Sequence, residues 1–311
     1  MKKCMITDKQ IQILLSTYNG EKYLCQQLDS YVALEGFERI KVLVRDDGST
    51  DRTREILIEY QQKYNFEVML GENIGVTKSI FELLCKCDKN CIFFAISDQD
   101  DVWMTDKFTR ALKMLSPMPQ DIPLMYASLS EVVREDLTIM GTTLNPVRDA
   151  GFYNAMVQNI APGHTQVYNR KMVDLLIEHG ISEVTVVDWW IYLVAGGVGR
   201  VLFDHNCTVK HRQHGKNAVG YQLGTIERTL TRIKKLNRHD ANAISRQLKY
   251  FYDIYGKILK EEYCVELENY LSSLKTLRNR INYVVHCKVY RQTKLETLLF
   301  KALYVLGKYN L

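Results

Sequence analysis

Four short apolar runs, at residues 11–16, 40–45, 66–70 and 91–97, punctuate the first hundred residues at even intervals, and each ends in polar or turn-forming residues. Runs of this length suit strands buried on both faces of a parallel sheet. Between them apolar residues recur at helical spacing: Tyr23, Leu24, Leu28, Tyr31 and Val32, then Ile56, Leu57 and Tyr60, then Ile80, Phe81, Leu83 and Leu84. Strand alternating with helix predicts an α/β fold with a doubly wound, mostly parallel sheet, whose parallel part fills roughly the first 115 residues. Ligands of such sheets sit beyond the carboxyl ends of the strands, so the residues after each run carry the functional information.

Those residues are Ser16-Thr17-Tyr18-Asn19-Gly20, Asp46-Asp47-Gly48-Ser49-Thr50-Asp51, Glu72-Asn73-Ile74-Gly75 and Asp98-Gln99-Asp100-Asp101. Three carboxylates in four residues repel one another, a conflict that a divalent cation resolves. Hard cations such as Mg²⁺ use few protein oxygens and keep positions for phosphate, as a nucleotide diphosphate requires. In the second cluster Ser49 or Thr50 is expected to cap the following helix, with Asp51 near its positive end. That leaves Asp46 or Asp47 to accept a hydrogen bond from a base N–H, and Tyr18 to stack on the same base.

From residue 123 to about 221 the pattern is mixed, with strands expected at 124–127, 165–168 and 201–203 and a helix around 188–195. Asp188 stands beside Trp189 and Trp190, an apolar setting that raises a carboxyl pKa toward the range of a general base, although a helix N-cap explains an Asp there as well. His211-Arg212-Gln213-His214-Gly215 offers imidazole and guanidinium groups suited to a metal or a phosphate. Beyond residue 225 glycine and proline nearly vanish and apolar residues return at helical spacing, which predicts a helical appendage. Residues 225–311 hold 17 Lys and Arg against 8 Asp and Glu, whereas the whole chain is only +5, so the remainder is acidic. The C-terminal helices are therefore expected to face an anionic surface, for which phospholipid fits; the alternative is a helical domain that packs on the catalytic unit or on a second subunit, and nucleic acid is disfavoured for want of a recognised module.

The eight cysteines follow no paired framework and read as reduced, structural thiols, Cys85, Cys87 and Cys91 included. With no signal-peptide pattern at the N-terminus, a cytoplasmic protein is expected.

Read together, LLSTYNGEKYL, VRDDGSTDRT, GENIGV, ISDQDDVW, APGHTQVYNRK, VDWW and HRQHGKNAVG resemble the inverting glycosyltransferases of family 2, which have the GT-A fold, and among them the bacterial rhamnosyltransferase-like members that build cell-surface polysaccharide. A dinucleotide-binding fold is disfavoured, because no GxGxxG follows the first strand. A nucleotidyltransferase lacks its glycine-rich basic phosphate loop here, and a non-catalytic scaffold subunit would have lost the carboxylates. The resemblance covers residues 10–221. It implies a catalytic domain over 1–221, with a nucleotide-binding half at 10–115 and an acceptor half at 116–221, followed by a basic helical region at 222–311.

By position, the resemblance assigns Ser16, Tyr18 and Asp47, with Asp46 nearby, to the nucleoside, and Asp98 to ribose or metal. Asp100 becomes a metal ligand for Mg²⁺ or Mn²⁺. Asp188 becomes the base, and His214, with His211 less directly placed, helps hold metal or pyrophosphate. The implied donor is a dTDP- or UDP-sugar, with rhamnose the sugar suggested by the subgroup, and the acceptor is a glycan or lipid-linked glycan at the inner face of the membrane. Two departures stand out: Val187 where members often carry His, and Gly163-His164-Thr165 where they carry a small-residue turn. The second points to a different acceptor or sugar pocket.

Overall fold

The computed structural model describes residues 11–64, 66–180, 184, 186–214 and 242–310. The chain divides into two compact units, one of residues 1–145, 161–181 and 201–214, the other of 146–160, 182–200 and 215–311. Segments 146–160 and 182–200, grouped by sequence with the catalytic span, thus cluster with the C-terminal helices. The basic stretch 225–241 lies outside the described residues.

The first unit is built on one nine-stranded sheet. Its parallel half comprises β1 (Ile11–Thr17), β2 (Ile40–Asp47), β3 (Glu67–Gly71) and β4 (Phe93–Ser97), in the order β3-β2-β1-β4. These match the four apolar runs; β1, β2 and β4 are buried between helices, whereas β3 is the partly exposed edge strand. On one face Ile13, Leu15, Val42, Val44 and Ala95 pack against α1 (Leu24–Val32), α2 (Thr53–Tyr64) and α4 (Lys107–Leu115). On the other, α3 (Val76–Lys86) lies over β1 and β2 and meets α6 (Arg170–His179).

The remaining strands are antiparallel or short: β5 (Val102–Trp103), β6 (Leu124–Val133), β7 (Ile139–Thr142), β8 (Val167–Asn169) and β9 (Arg200–Arg212). β6 and β9 run well past their expected lengths, because their outer halves carry polar residues such as Ser128, Ser130 and Thr208 that bond within the sheet; Ser128 Oγ and Thr208 Oγ1 lie 2.6 Å apart. Cys87 and Cys91 are buried, and no cysteine among the described residues forms a disulfide.

The parallel pairing fixes the functional rim. Thr17 is level with Asp46, Leu15 with Ser97, and Asp47 with Gly71, so the loops after all four strands leave the sheet at one edge. Chain direction across the sheet reverses between β1 and β4, the place where open α/β sheets hold their ligands.

The second unit is helical: α5 (Phe152–Ala155), α7 (Val187–Val198), α8 (Ala243–Tyr255), α9 (Glu261–Ser273), α10 (Leu277–His286) and α11 (Lys294–Val305). Trp190 is its anchor, stacked on Tyr250 with ring centroids 5.2 Å apart and edge-on to Phe251. No helix among the described residues is long and apolar enough to cross a membrane.

Candidate active site

The loops at the rim are cross-linked through backbone groups. Gln99 clasps the loop after β1: Tyr18 N–H donates to its Oε1 at 2.8 Å, and its Nε2 donates to Tyr18 O at 3.0 Å. Asn19, in the left-handed region at φ 47°, donates its N–H to Ser49 Oγ at 2.9 Å and accepts from Thr50 N–H at 2.8 Å. Ser49 and Thr50 therefore tie two loops together instead of capping α2, as the sequence predicts. The first-turn donor is met by Asp51, which accepts from Thr53 N–H at 3.0 Å, because Asp51 sits one residue before the helix-entry turn and the other two are held by Asn19. Gly48 makes the turn possible at φ 83°, where an added Cβ would come within 2.7 Å of Asn73 N.

The two carboxylates ending β2 have different neighbours. Asp46 is fully buried, and its Oδ2 takes the Ser49 N–H at 3.1 Å and Arg54 Nε at 2.7 Å. Asp47 Oδ1 accepts from Arg45 Nη1 and from Ile74 N–H at 2.9 Å, while Oδ2 accepts only Gly75 N–H at 3.0 Å. An ionised carboxylate offers about four acceptor directions, so Asp47 keeps one on Oδ2. Ser16 Oγ lies 2.6 Å from Ser79 Oγ, and the Tyr18 ring is half exposed at the rim.

At the end of β4, Ser97 fixes the acidic loop: its Oγ accepts from Tyr31 Oη and donates to Asp98 O at 2.9 Å. Asp100 Oδ2 and His214 Nε2 are 2.7 Å apart, and His214 stacks on Tyr23. Burial, with the charges of Asp101 and Asp98, pushes the Asp100 carboxyl up to about 6 against the opposing pull of His214. Asp98 is half exposed, with Oδ2 3.5 Å from His164 Nδ1. Asp101 is sealed: Oδ1 accepts from His211 Nδ1 and Arg212 N–H, both at 3.0 Å, and Oδ2 has no hydrogen-bond partner among the described residues.

His164 and His211 form a stacked pair, centroids 4.4 Å apart and planes within 10°. Burial and the neighbouring His211 hold His164 down to about 3, so its ring is neutral. For His211 burial works downward, but the hydrogen bond to Asp101 and the charges of Asp98 and Asp100 prevail and raise it. Beneath them Lys107, fully buried over the Trp103 ring, donates to His164 O at 2.9 Å, and burial lowers its ammonium to about 7.

Asp98 and Asp100 bring carboxylate oxygens to the acidic loop and His214 lies beside Asp100, a donor chemistry that suits a divalent cation, and the repulsion on Asp100 is what a cation would remove. Among the described residues, the group whose ligand atoms gather within 4.8 Å of one another is Asp101, His164 and His211. Their rings are nearly parallel with both Nδ1 atoms toward Asp101, so the lone pairs run side by side and suit a hydrogen-bonded support better than a shared metal. Sequence reasoning placed Ser16, Tyr18, Asp46, Asp47, Asp98, Asp100, His211 and His214 in this unit's rim loops, and missed Gln99, Asp101 and His164. The signal for His164 was its intrusion into an otherwise small-residue turn.

Asp188 belongs to the second unit. It lies half-buried in the first turn of α7, where Trp189 N–H donates to its Oδ1 at 2.7 Å, while Trp189 Nε1 donates to Ala155 O at 2.7 Å.

Comparison with known proteins gives a consistent picture. The family described as Glycosyl transferase family 2 matches residues 12–132. The dTDP-rhamnosyl transferase RfbG of Shigella flexneri is 25% identical over 229 residues, which are 67% of this chain and 74% of that protein. An uncharacterized glycosyltransferase of Rickettsia prowazekii is 25% identical over 233 residues, 70% of this chain and 68% of its own. Among solved structures, residues 1–349 of Staphylococcus aureus TarS in complex with UDP-GlcNAc superpose with a TM-score of 0.55 at 17% identity, covering 96% of this chain and 89% of that one. The mannosyltransferase PcManGT of Pyrobaculum calidifontis, in complex with GDP-Man and Mn²⁺, gives 0.50 at 14% identity, covering 97% and 86%. These structures share the fold of this chain.

Proposed function

We propose that the chain is a family 2 glycosyltransferase, an inverting, metal-dependent enzyme moving a sugar from a dTDP- or UDP-sugar to an acceptor hydroxyl. The observation that carries this reading is the meeting at one rim of a clasped nucleoside loop and an uncompensated acidic loop, Tyr18 against Gln99 and Asp98 beside Asp100. The relative from Shigella, a dTDP-rhamnosyl transferase, supports rhamnose as the sugar and a cell-surface glycan or lipid-linked glycan as the acceptor. The same reading places the enzyme in the cytoplasm, peripheral to the inner face of the membrane.

In this reading Tyr18 stacks on the base, Asp47 Oδ2 accepts its N–H, and Ser16 and Asp98 position the ribose side. Asp98, Asp100 and His214 would hold Mg²⁺ or Mn²⁺, which would supply charge stabilisation to the leaving diphosphate. Asp188 takes the acceptor proton as the acceptor oxygen bonds to the anomeric carbon and the bond to the diphosphate breaks, through an oxocarbenium-like state by analogy with glycoside hydrolysis. His211, whose pKa Asp101 raises against the effect of burial, adds positive charge beside the acidic loop when protonated.

Calorimetric titration with UDP and dTDP, each with and without Mn²⁺, tests the donor site. Metal-dependent binding lost in Asp100→Ala is expected, and binding that ignores both metal and substitution would overturn it. Asp188→Ala should lower transfer about 10³-fold while leaving donor affinity near that of the unaltered protein. A variant that keeps most of its rate would remove Asp188 from the reaction.

A further inference from the structure

The outermost helices of the second unit present apolar side chains where a protein of this size normally presents polar ones. On α10, Leu277, Ile281 and Val285 recur every four residues and are 47–67% exposed, while Tyr283, the helix's one buried residue, points away from them. On α11, Leu295, Leu298 and Ala302 are likewise exposed, opposite the buried Glu296, Phe300 and Tyr304. The two helices are fixed to each other by Arg280 Nε donating to Val305 O at 3.0 Å and Lys301 Nζ donating to Val284 O at 2.7 Å. They therefore form one platform with an apolar outer surface.

The charge carried by the segment that forms these two helices is nearly all of one sign. Residues 275–310 contain eight Lys and Arg and a single carboxylate, Glu296, which is buried. Lys275, Arg278, Lys294 and Lys308 take part in no ion pair among the described residues. By helical spacing Arg278 flanks the α10 stripe, and Lys294 and Lys301 flank that of α11. Two copies of such a surface would bring like charges together around an apolar centre, which argues against self-association.

We propose that this platform is a docking surface for an anionic lipid bilayer, with Leu277, Ile281, Val285 and Leu298 entering the headgroup–acyl boundary and Arg278, Lys275 and Lys294 meeting lipid phosphates. The inference deepens the reading of a peripheral enzyme with a membrane-borne acceptor, and it rests on that reading for its purpose but not for its test. Bilayer contact of this kind confines the enzyme to the plane in which a lipid-linked acceptor diffuses.

The test is flotation of the full chain with vesicles of phosphatidylcholine alone or mixed with phosphatidylglycerol, in the absence of any nucleotide. The expected result is binding to the mixed vesicles only, weakened by salt. Ile281→Glu and Leu298→Glu should weaken it more than about tenfold, and Arg278→Gln and Lys294→Gln about fivefold each. These are surface positions, so unchanged thermal midpoint and unchanged nucleotide affinity serve as the control for folding. Absence of flotation, flotation insensitive to the apolar substitutions, or a dimer in solution that Ile281→Glu dissolves would each overturn the proposal. Vesicle binding without nucleotide binding would leave the platform standing and remove the transferase reading, and the converse would do the reverse.

Discussion

The acidic ends of β2 and β4 look alike in sequence but are solved differently in the fold. At β2, Asp46 and Asp47 are each met by an arginine and by backbone N–H groups, so their charge holds two loops in place. At β4, the side chains of Asp98, Asp100 and Asp101 lie against three histidines, and Asp100 is left with a raised pKa. At β2 each carboxylate has an arginine partner, although Asp46 Oδ1 is buried without a hydrogen-bond partner among the described residues; at β4 the side-chain partners are histidines, and Asp100 stays under repulsion. A carboxylate paired with arginine serves the fold, whereas one kept under repulsion is poised for a ligand.

The sharpest way to break this contrast is to neutralise one member of each pair. Asp100→Asn should lower transfer about 10³-fold while leaving the metal-free fold at neutral pH as stable as before or more so, since a repelled charge is removed. Asp46→Ala should act in the opposite way, costing about 2–3 kcal/mol in urea unfolding, because the Ser49 N–H and Arg54 lose a charged acceptor. If Asp46→Ala left stability unchanged, or Asp100→Asn unfolded the protein, the two strand ends would have to exchange roles.

The contrast also predicts a pH dependence. The folded-state pKa of Asp100, about 6, lies above the ordinary 3.8, so the metal-free fold holds this proton more tightly than the unfolded chain. Its stabilising contribution is complete below the ordinary value and is lost as pH rises through 6. Metal must displace the same proton, so Mn²⁺ affinity through this carboxyl should fall about tenfold between pH 7 and pH 5. Isothermal titration with Mn²⁺ at both pH values checks this slope, and an affinity unchanged between pH 7 and pH 5 would remove Asp100 from the ligand set.

How much of this was legible in the sequence follows from what each residue interacts with. β1, β2 and β4 were visible because both faces are buried and apolar, β3 from its short apolar run at the sheet edge, and the register then carried Ser16, Asp46 and Asp98 to one edge. The long antiparallel strands were not, since Ser128, Ser130 and Thr208 look like loop residues until their partners across the sheet are known. Asp98 and Asp100 were legible as a repelling cluster. Asp46 and Asp47 could not be told apart, because what separates them is Arg54 on one side and the Ile74 and Gly75 amides on the other. Segments 146–160 and 182–200 joined the helical unit through long-range packing, such as Asn154 Nδ2 to Tyr290 O, that no local pattern announces.

The smallest expected effect bears on what lies between the two acidic ends. Gln99 stands between Asp98 and Asp100 and joins their loop to the loop after β1 through two hydrogen bonds to Tyr18. Gln99→Ala should cost about 1 kcal/mol of stability and weaken nucleotide binding severalfold, by loosening a loop that is otherwise set before the ligand arrives. Gly20 supplies the control: an added Cβ would come within 2.5 Å of Gln99 Oε1 and nowhere else as close. Gly20→Ala should therefore weaken binding in the unaltered protein and do so much less in a Gln99→Ala background. Such non-additivity assigns the effect to the clasp itself. Additive losses would mean that the two loops are set independently, and the acidic end of β4 would then act on the donor through metal alone.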